Sequence, residues 1–116
     1  TSVWADHLNK GDARLFDLLN GGRVLMHPFV AGEIALGNLN PRADILDALA
    51  KLPSARVASE EEVLIFIETA RLFGTGVGLV DVHLLASAKI EAATLWTRDK
   101  KLAKAAGTLG LEFIES

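Results

Sequence analysis

Three carboxylates in this sequence sit where an acid is costly unless something binds it. Glu33 lies within Val30-Ala31-Gly32-Glu33-Ile34, Asp81 within Gly78-Leu79-Val80-Asp81-Val82, and Asp99 within Leu95-Trp96-Thr97-Arg98-Asp99. Burying a charge among apolar neighbours is expensive unless it is paired or coordinates a metal. A hard divalent cation suits such a set, because Mg²⁺ takes oxygen ligands, keeps waters and bridges to phosphate. A bound metal also lowers the pKa of its water and neutralises charge developing on a phosphodiester. No Ser/His/Asp arrangement competes as a catalytic centre. Each acid has a local alternative, however. Asp81 and Asp99 stand at expected helix starts, where a carboxylate gains ~0.3–1 kcal/mol from the helix dipole, and Glu33 could pair with an arginine. Spacing alone leaves capping and metal binding both open.

The elements that must position these acids alternate along the chain. Residues 2–8 read as a short helix broken by Gly11, and Asp12 caps a second over 13–20, stopped by Gly21-Gly22. Arg23–Met26 suits a buried strand. Pro28 opens a helix, where a missing N–H costs nothing, and that helix is expected to end at Gly37. Pro41 opens another, ending before Pro53. Arg56–Ala58 reads as a short strand. Ser59-Glu60-Glu61-Glu62 matches a capping box, starting a helix that is expected to run to about Phe73. After the loop Gly74–Gly78 comes a helix over Val80–Glu91, with Leu84, Leu85 and Ala88 inward. Ala93–Thr97 reads as a strand, Asp99 starts a helix through Ala106, and Glu112–Ile114 is a final strand. Helices alternating with short apolar strands imply an α/β fold with a mostly parallel central sheet flanked by helices, three layers α/β/α. Ligands of such sheets sit outside the carboxyl ends of the strands. The three acids follow expected strands or open the next helices.

Composition bounds the rest. A chain of 116 residues fits one domain. Half of it is hydrophobic and 23% charged, enough to bury a core. There is no cysteine, which excludes disulfide scaffolds, cysteine nucleophiles and thiolate zinc sites. The net charge of −3 argues against a strong non-specific nucleic-acid binder. Arg98, Lys100, Lys101 and Lys104 nevertheless form a compact basic stretch. No apolar run approaches the ~20 residues of a membrane-spanning helix, and no signal peptide is visible, so the expected location is cytoplasmic. The sequence begins at Thr1 without methionine and reads as having lost its first residues.

With these motifs in view, the chain resembles the PIN-domain ribonucleases, and among them the VapC toxins of VapBC toxin–antitoxin pairs. Thr1-Ser2-Val3-Trp4-Ala5-Asp6-His7-Leu8 looks like that family's N-terminal motif. Ala31-Gly32-Glu33-Ile34-Ala35-Leu36-Gly37 matches its second acid. Gly76-Val77-Gly78-Leu79-Val80-Asp81-Val82-His83-Leu84-Leu85-Ala86-Ser87-Ala88 matches the third, and Leu95-Trp96-Thr97-Arg98-Asp99-Lys100-Lys101-Leu102 the fourth. The family's first aspartate would immediately precede Thr1, so the expectation is a single PIN domain over 1–116 that lacks its first strand and first catalytic Asp. The resemblance implies a ribonuclease that hydrolyses RNA with Mg²⁺ or Mn²⁺. Glu33, Asp81 and Asp99 would hold the metal, and the Thr97 hydroxyl would support it or the attacking water. A VapB-like antitoxin and a homodimer, or a heterotetramer or larger assembly with the antitoxin, are implied as well. Alternatives are a PIN nuclease of RNA processing without an antitoxin, and a non-catalytic RNA-binding or interaction module.

Other residues have plainer readings. Asp6 and His7 fit a solvated helix face. His27 and His83 could bind metal, but a hard-cation site favours oxygen, so His83 reads as packed or hydrogen-bonded. Gly74–Gly78 lacks the Rossmann spacing and the Walker lysine and reads as a flexible loop beside the acids. Trp4 and Trp96 could stack on bases, but their apolar surroundings favour packing. The basic stretch gains an RNA-facing role only from the resemblance.

Overall fold

Side chains that accept from a free backbone N–H decide where several helices of this chain begin. The computed structural model describes residues 2–114; Thr1, the first residue of the N-terminal motif, lies outside them. Seven helices occur among the described residues, in two compact units, Thr1–Ala55 and Arg56–Ser116.

The first unit carries α1 (Ser2–Lys10), α2 (Ala13–Asn20), α3 (Pro28–Ala35) and α4 (Arg42–Ala50). The expected break falls at Gly11, which takes φ +78°. Asp12 then caps α2, its Oδ1 accepting from the Leu15 N–H at 3.0 Å. Pro28 occupies the first turn of α3 as expected, but the helix stops at Ala35, short of Gly37. Arg42 accounts for this end: its guanidinium donates to Ala35 O at 2.6 Å and Gly37 O at 3.2 Å. The orphan carbonyl of Ala35, the last residue of the helix, is thus satisfied by a side chain. Val3, Leu15, Met26, Val30, Ile34 and Leu49 are buried.

The second unit carries α5 (Glu60–Thr69), α6 (Leu79–Ile90) and α7 (Lys100–Thr108). The capping box forms: Ser59 Oγ accepts from Glu62 N–H, and Glu62 Oε1 accepts from Ser59 N–H. The backbone N–H of Ser59, then its hydroxyl, hold the Glu62 carboxyl below its ordinary pKa. Val63 and Phe66 of α5, Val82, Leu85 and Ala86 of α6, and Leu102 and Ala106 of α7 build one core with Ala58 and Leu72. Their spacings of three and four residues put each set on one helix face. Leu84, Leu85 and Ala88 are all buried, as their pattern predicts.

The expected run of α5 to Phe73 is corrected. Arg71 turns left-handed at φ +54°, its N–H donates to Glu68 O, and Leu72 N–H donates to Ile67 O at 3.0 Å. This paired closure is a Schellman motif, which ends a helix. The same motif ends α6 at Ala92 (φ +52°) and α7 at Gly110 (φ +72°).

The expected strands shorten to isolated bridges. Met26 pairs with Ser54 and Leu95 with Glu112, both parallel, and among the described residues neither continues into a ladder. Arg56–Ala58 forms no strand, and the backbone of Arg56 is bound by side chains. Arg56 O accepts from Ser87 Oγ at 2.6 Å, and Arg56 N–H donates to Glu91 Oε2 at 3.2 Å. Among the described residues these two parallel bridges are not extended into a sheet.

Candidate active site

Two of the three acids belong to the second unit and stand at the starts of its helices. Asp99 is the N-cap of α7, its Oδ1 accepting from Leu102 N–H at 2.9 Å. Its own N–H donates to Thr97 Oγ1 at 3.1 Å. The threonine hydroxyl therefore shapes the turn that presents the carboxylate. Asp81 lies in the first turn of α6, half-buried, behind a cap position occupied by Gly78. The cap residue Gly78 has no side chain to accept from the first-turn N–H groups.

One approach joins the beginnings of these two helices. The Lys101 ammonium, in the first turn of α7, reaches to 3.3 Å from where a Cβ on Gly76 would stand. Gly76 belongs to the loop that leads into α6. The two helices also share a core through Val82, Leu85, Leu102 and Ala106. Glu33 lies on α3 of the first unit and is exposed. Among the described residues, no group of three or more His, Asp or Glu side chains gathers as a metal-holding cluster.

The histidines take local roles. His27 is buried and caps α3, its Nδ1 accepting from Phe29 N–H at 3.0 Å, with its ring edge-on to Phe29. His7 Nδ1 accepts from Asp12 N–H at 2.9 Å, so it closes the turn after α1 as well as standing on its face. His83 is half-buried on α6. Trp96 packs on Phe113 with ring centroids 4.9 Å apart, and the Arg98 guanidinium lies 5.5 Å from its ring centre. Trp4 meets His7 edge-on. Sequence reasoning missed the pairing of Lys101 with Gly76. The available signal was a glycine that must adopt positive φ (+82° here) beside a motif with a lysine two residues after its acid.

A PIN-domain family profile matches residues 1–108, through both units and all three acids. Two curated relatives, both named ribonuclease VapC32, come from Mycobacterium tuberculosis strains CDC 1551 / Oshkosh and ATCC 25618. Each is 44% identical to this chain over 116 residues, covering 99% of it and 94% of the relative. No solved structure matches. A match over nearly the whole chain, and relatives this similar end to end, make the chain a member of the PIN-domain family and, within it, of the VapC proteins.

Proposed function

We propose that this protein is an endoribonuclease toxin of a toxin–antitoxin module, hydrolysing RNA phosphodiester bonds with Mg²⁺ or Mn²⁺. The observation that carries the reading is the adjacency just described: Asp81 and Asp99 begin two helices that share one core, and Lys101 of the second lies over the loop entering the first. The donor set fits the ion. Mg²⁺ is commonly held by one or two carboxylates, with waters and substrate phosphate completing its shell. Asp99 uses Oδ1 for its cap, and the second oxygen of a carboxylate retains acceptor capacity. Asp81 and Asp99 would hold the ion, with Glu33 as the third ligand assigned by resemblance.

When bound, the ion would supply an acidified water and neutralise charge on the scissile phosphate. The chain's own residues do the positioning. Thr97 accepts from the Asp99 N–H and so fixes the carboxylate's approach. Its hydroxyl proton remains a donor for the attacking water or a phosphate oxygen. The VapC relatives are named ribonucleases, which supports the substrate class. The same kinship supports a VapB-like antitoxin partner, a homodimer or larger assembly with it, and a cytoplasmic location. The two parallel bridges support the mostly parallel sheet of a three-layer α/β/α PIN fold.

The test is cleavage of RNA by the natural gene product. EDTA should abolish it and Mg²⁺ or Mn²⁺ restore it. Asp81→Asn should cost more than the ~10–100-fold that losing a mere hydrogen-bond partner of a metal ligand costs. Cleavage that resists EDTA and survives Asp81→Asn would overturn the reading.

A further inference from the structure

An exposed aromatic side chain stands on a hydrogen-bonded turn in the segment that leads into Asp81. Phe73 is 60% exposed and follows Leu72, which is buried in the core shared by α5, α6 and α7. The Leu72 carbonyl accepts from Thr75 N–H at 3.4 Å and from the Thr75 hydroxyl at 2.6 Å. Thr75 Oγ1 in turn accepts from Val77 N–H at 3.4 Å. Gly74 takes φ +74°, the positive value required at the third residue of a type II turn, so Phe73 occupies the second. Among the described residues Phe73 stacks on no other ring. Leu79 and Val80, in the first turn of α6, are exposed as well and immediately precede Asp81. An exposed apolar side chain standing singly needs no explanation, whereas a group of them marks a surface that binds something. Phe73 is eight residues from Asp81, at most roughly 29 Å of extended chain, and the turn and the helix start shorten that reach.

We infer that Phe73 is a stacking platform for an unpaired base of the RNA substrate. The inference rests on the ribonuclease reading and adds the part of the substrate that the acids leave unread. A metal and its carboxylates act on phosphate, which every nucleotide carries, whereas a ring face engages a base. Bases reach an aromatic side chain in loops, bulges and single strands, where they can be splayed out of the stack. Every base has a π-face, so the contact selects unpaired structure and tolerates sequence. Two observations favour RNA over a protein as the occupant. The segment runs directly into an acid proposed to meet phosphate, and from Thr69 to Val80 it carries no acid to repel a strand, its one charge being Arg71.

The experiment separates stacking from cutting. Binding of a single-stranded RNA oligonucleotide is measured at fixed Mg²⁺ in an Asp81→Asn background that prevents turnover. Phe73→Ala should weaken binding about 5- to 140-fold, the range that losing one base–aromatic stack gives. Phe73→Tyr should keep the affinity, because the ring face remains. Phe73→Leu should lose it as alanine does, because an aliphatic side chain has no π-face. The salt dependence of binding should be the same in all three variants, since no charge is removed. An abasic ribose-phosphate oligomer should bind the parent and Phe73→Ala equally. Phe16→Ala, which removes an exposed phenylalanine of the other unit, should leave RNA affinity unaltered. Undiminished RNA binding by Phe73→Ala overturns the platform, including the case in which that variant instead loses self-association. Parent-like binding by Phe73→Leu overturns it too, as does an equal loss with Phe16→Ala. Cleavage by the chain with Asp81 intact is assayed separately. Its absence would sink the ribonuclease reading, whereas the affinity ratios judge Phe73.

Discussion

Asp99 has two roles that one substitution can separate. As N-cap of α7 it accepts from Leu102 N–H, and as a proposed metal ligand it must carry charge. Asparagine caps about as well as aspartate but is neutral, while alanine neither caps nor ligates. Asp99→Asn should therefore keep stability within a few tenths of a kcal/mol, and Asp99→Ala should lose ~1 kcal/mol. Both should lose RNA cleavage. Urea denaturation and a cleavage assay check the two arms, and an active Asp99→Asn enzyme would reduce this residue to a cap. The cap was legible in the sequence, since an aspartate between an apolar run and a helix is a common N-cap. The resemblance gives Thr97 a role toward the metal or the attacking water, and its part in shaping the Asp99 turn was not legible at all. A hydroxyl contact to a backbone two residues on depends on turn geometry that no spacing specifies.

At the scale of elements, the helix starts were readable and several of the ends were not. Asp12, Pro28, Ser59 and Asp99 all act at helix starts where their chemistry predicts. The glycine end was found at Gly21-Gly22, whereas α7 runs to Thr108, past the expected Ala106. Arg71 and Ala92 take the same left-handed position without being glycine, so α5 ended earlier than its pattern suggested. A β-carbon there costs ~1–2 kcal/mol, and glycine forfeits ~0.5–1 kcal/mol through chain entropy. Ala92→Gly should thus raise stability by ~0.5–1 kcal/mol, read as a higher urea midpoint. A lower midpoint would mean that the Ala92 methyl makes contacts worth more than its strain.

For the molecule as a whole, the second unit depends on one core shared by three helices. Leu85 is fully buried at its centre, and the same core fixes the helices that carry Asp81 and Asp99. Leu85→Ala should cost ~2–5 kcal/mol, a large share of the ~5–15 kcal/mol that holds a domain folded. Cleavage should then fail at a lower temperature, in step with unfolding, while activity well below that temperature is largely kept. Calorimetry alongside activity against temperature tests this. Activity lost in a still-folded variant would show that the core does more than support the helix starts.

Sequence alone determined the features set within a few residues. Caps act over two to four positions, apolar faces repeat every three or four, and the acids keep their neighbours in any fold. These signals fixed the helix starts, the inward residues of α6, the three candidate acids and the family they resemble. Tertiary structure decided what depends on distant partners. Ser87 and Glu91 engage the backbone of Arg56 across 31 and 35 positions, where a strand was expected. Arg98 lies over a tryptophan packed on Phe113, and Lys101 passes a glycine in the loop before another helix. Asp81, Asp99 and their basic neighbours could each be named from the sequence. Only the fold showed that the helices bearing the two acids share one core, built by side chains of segments far apart along the chain.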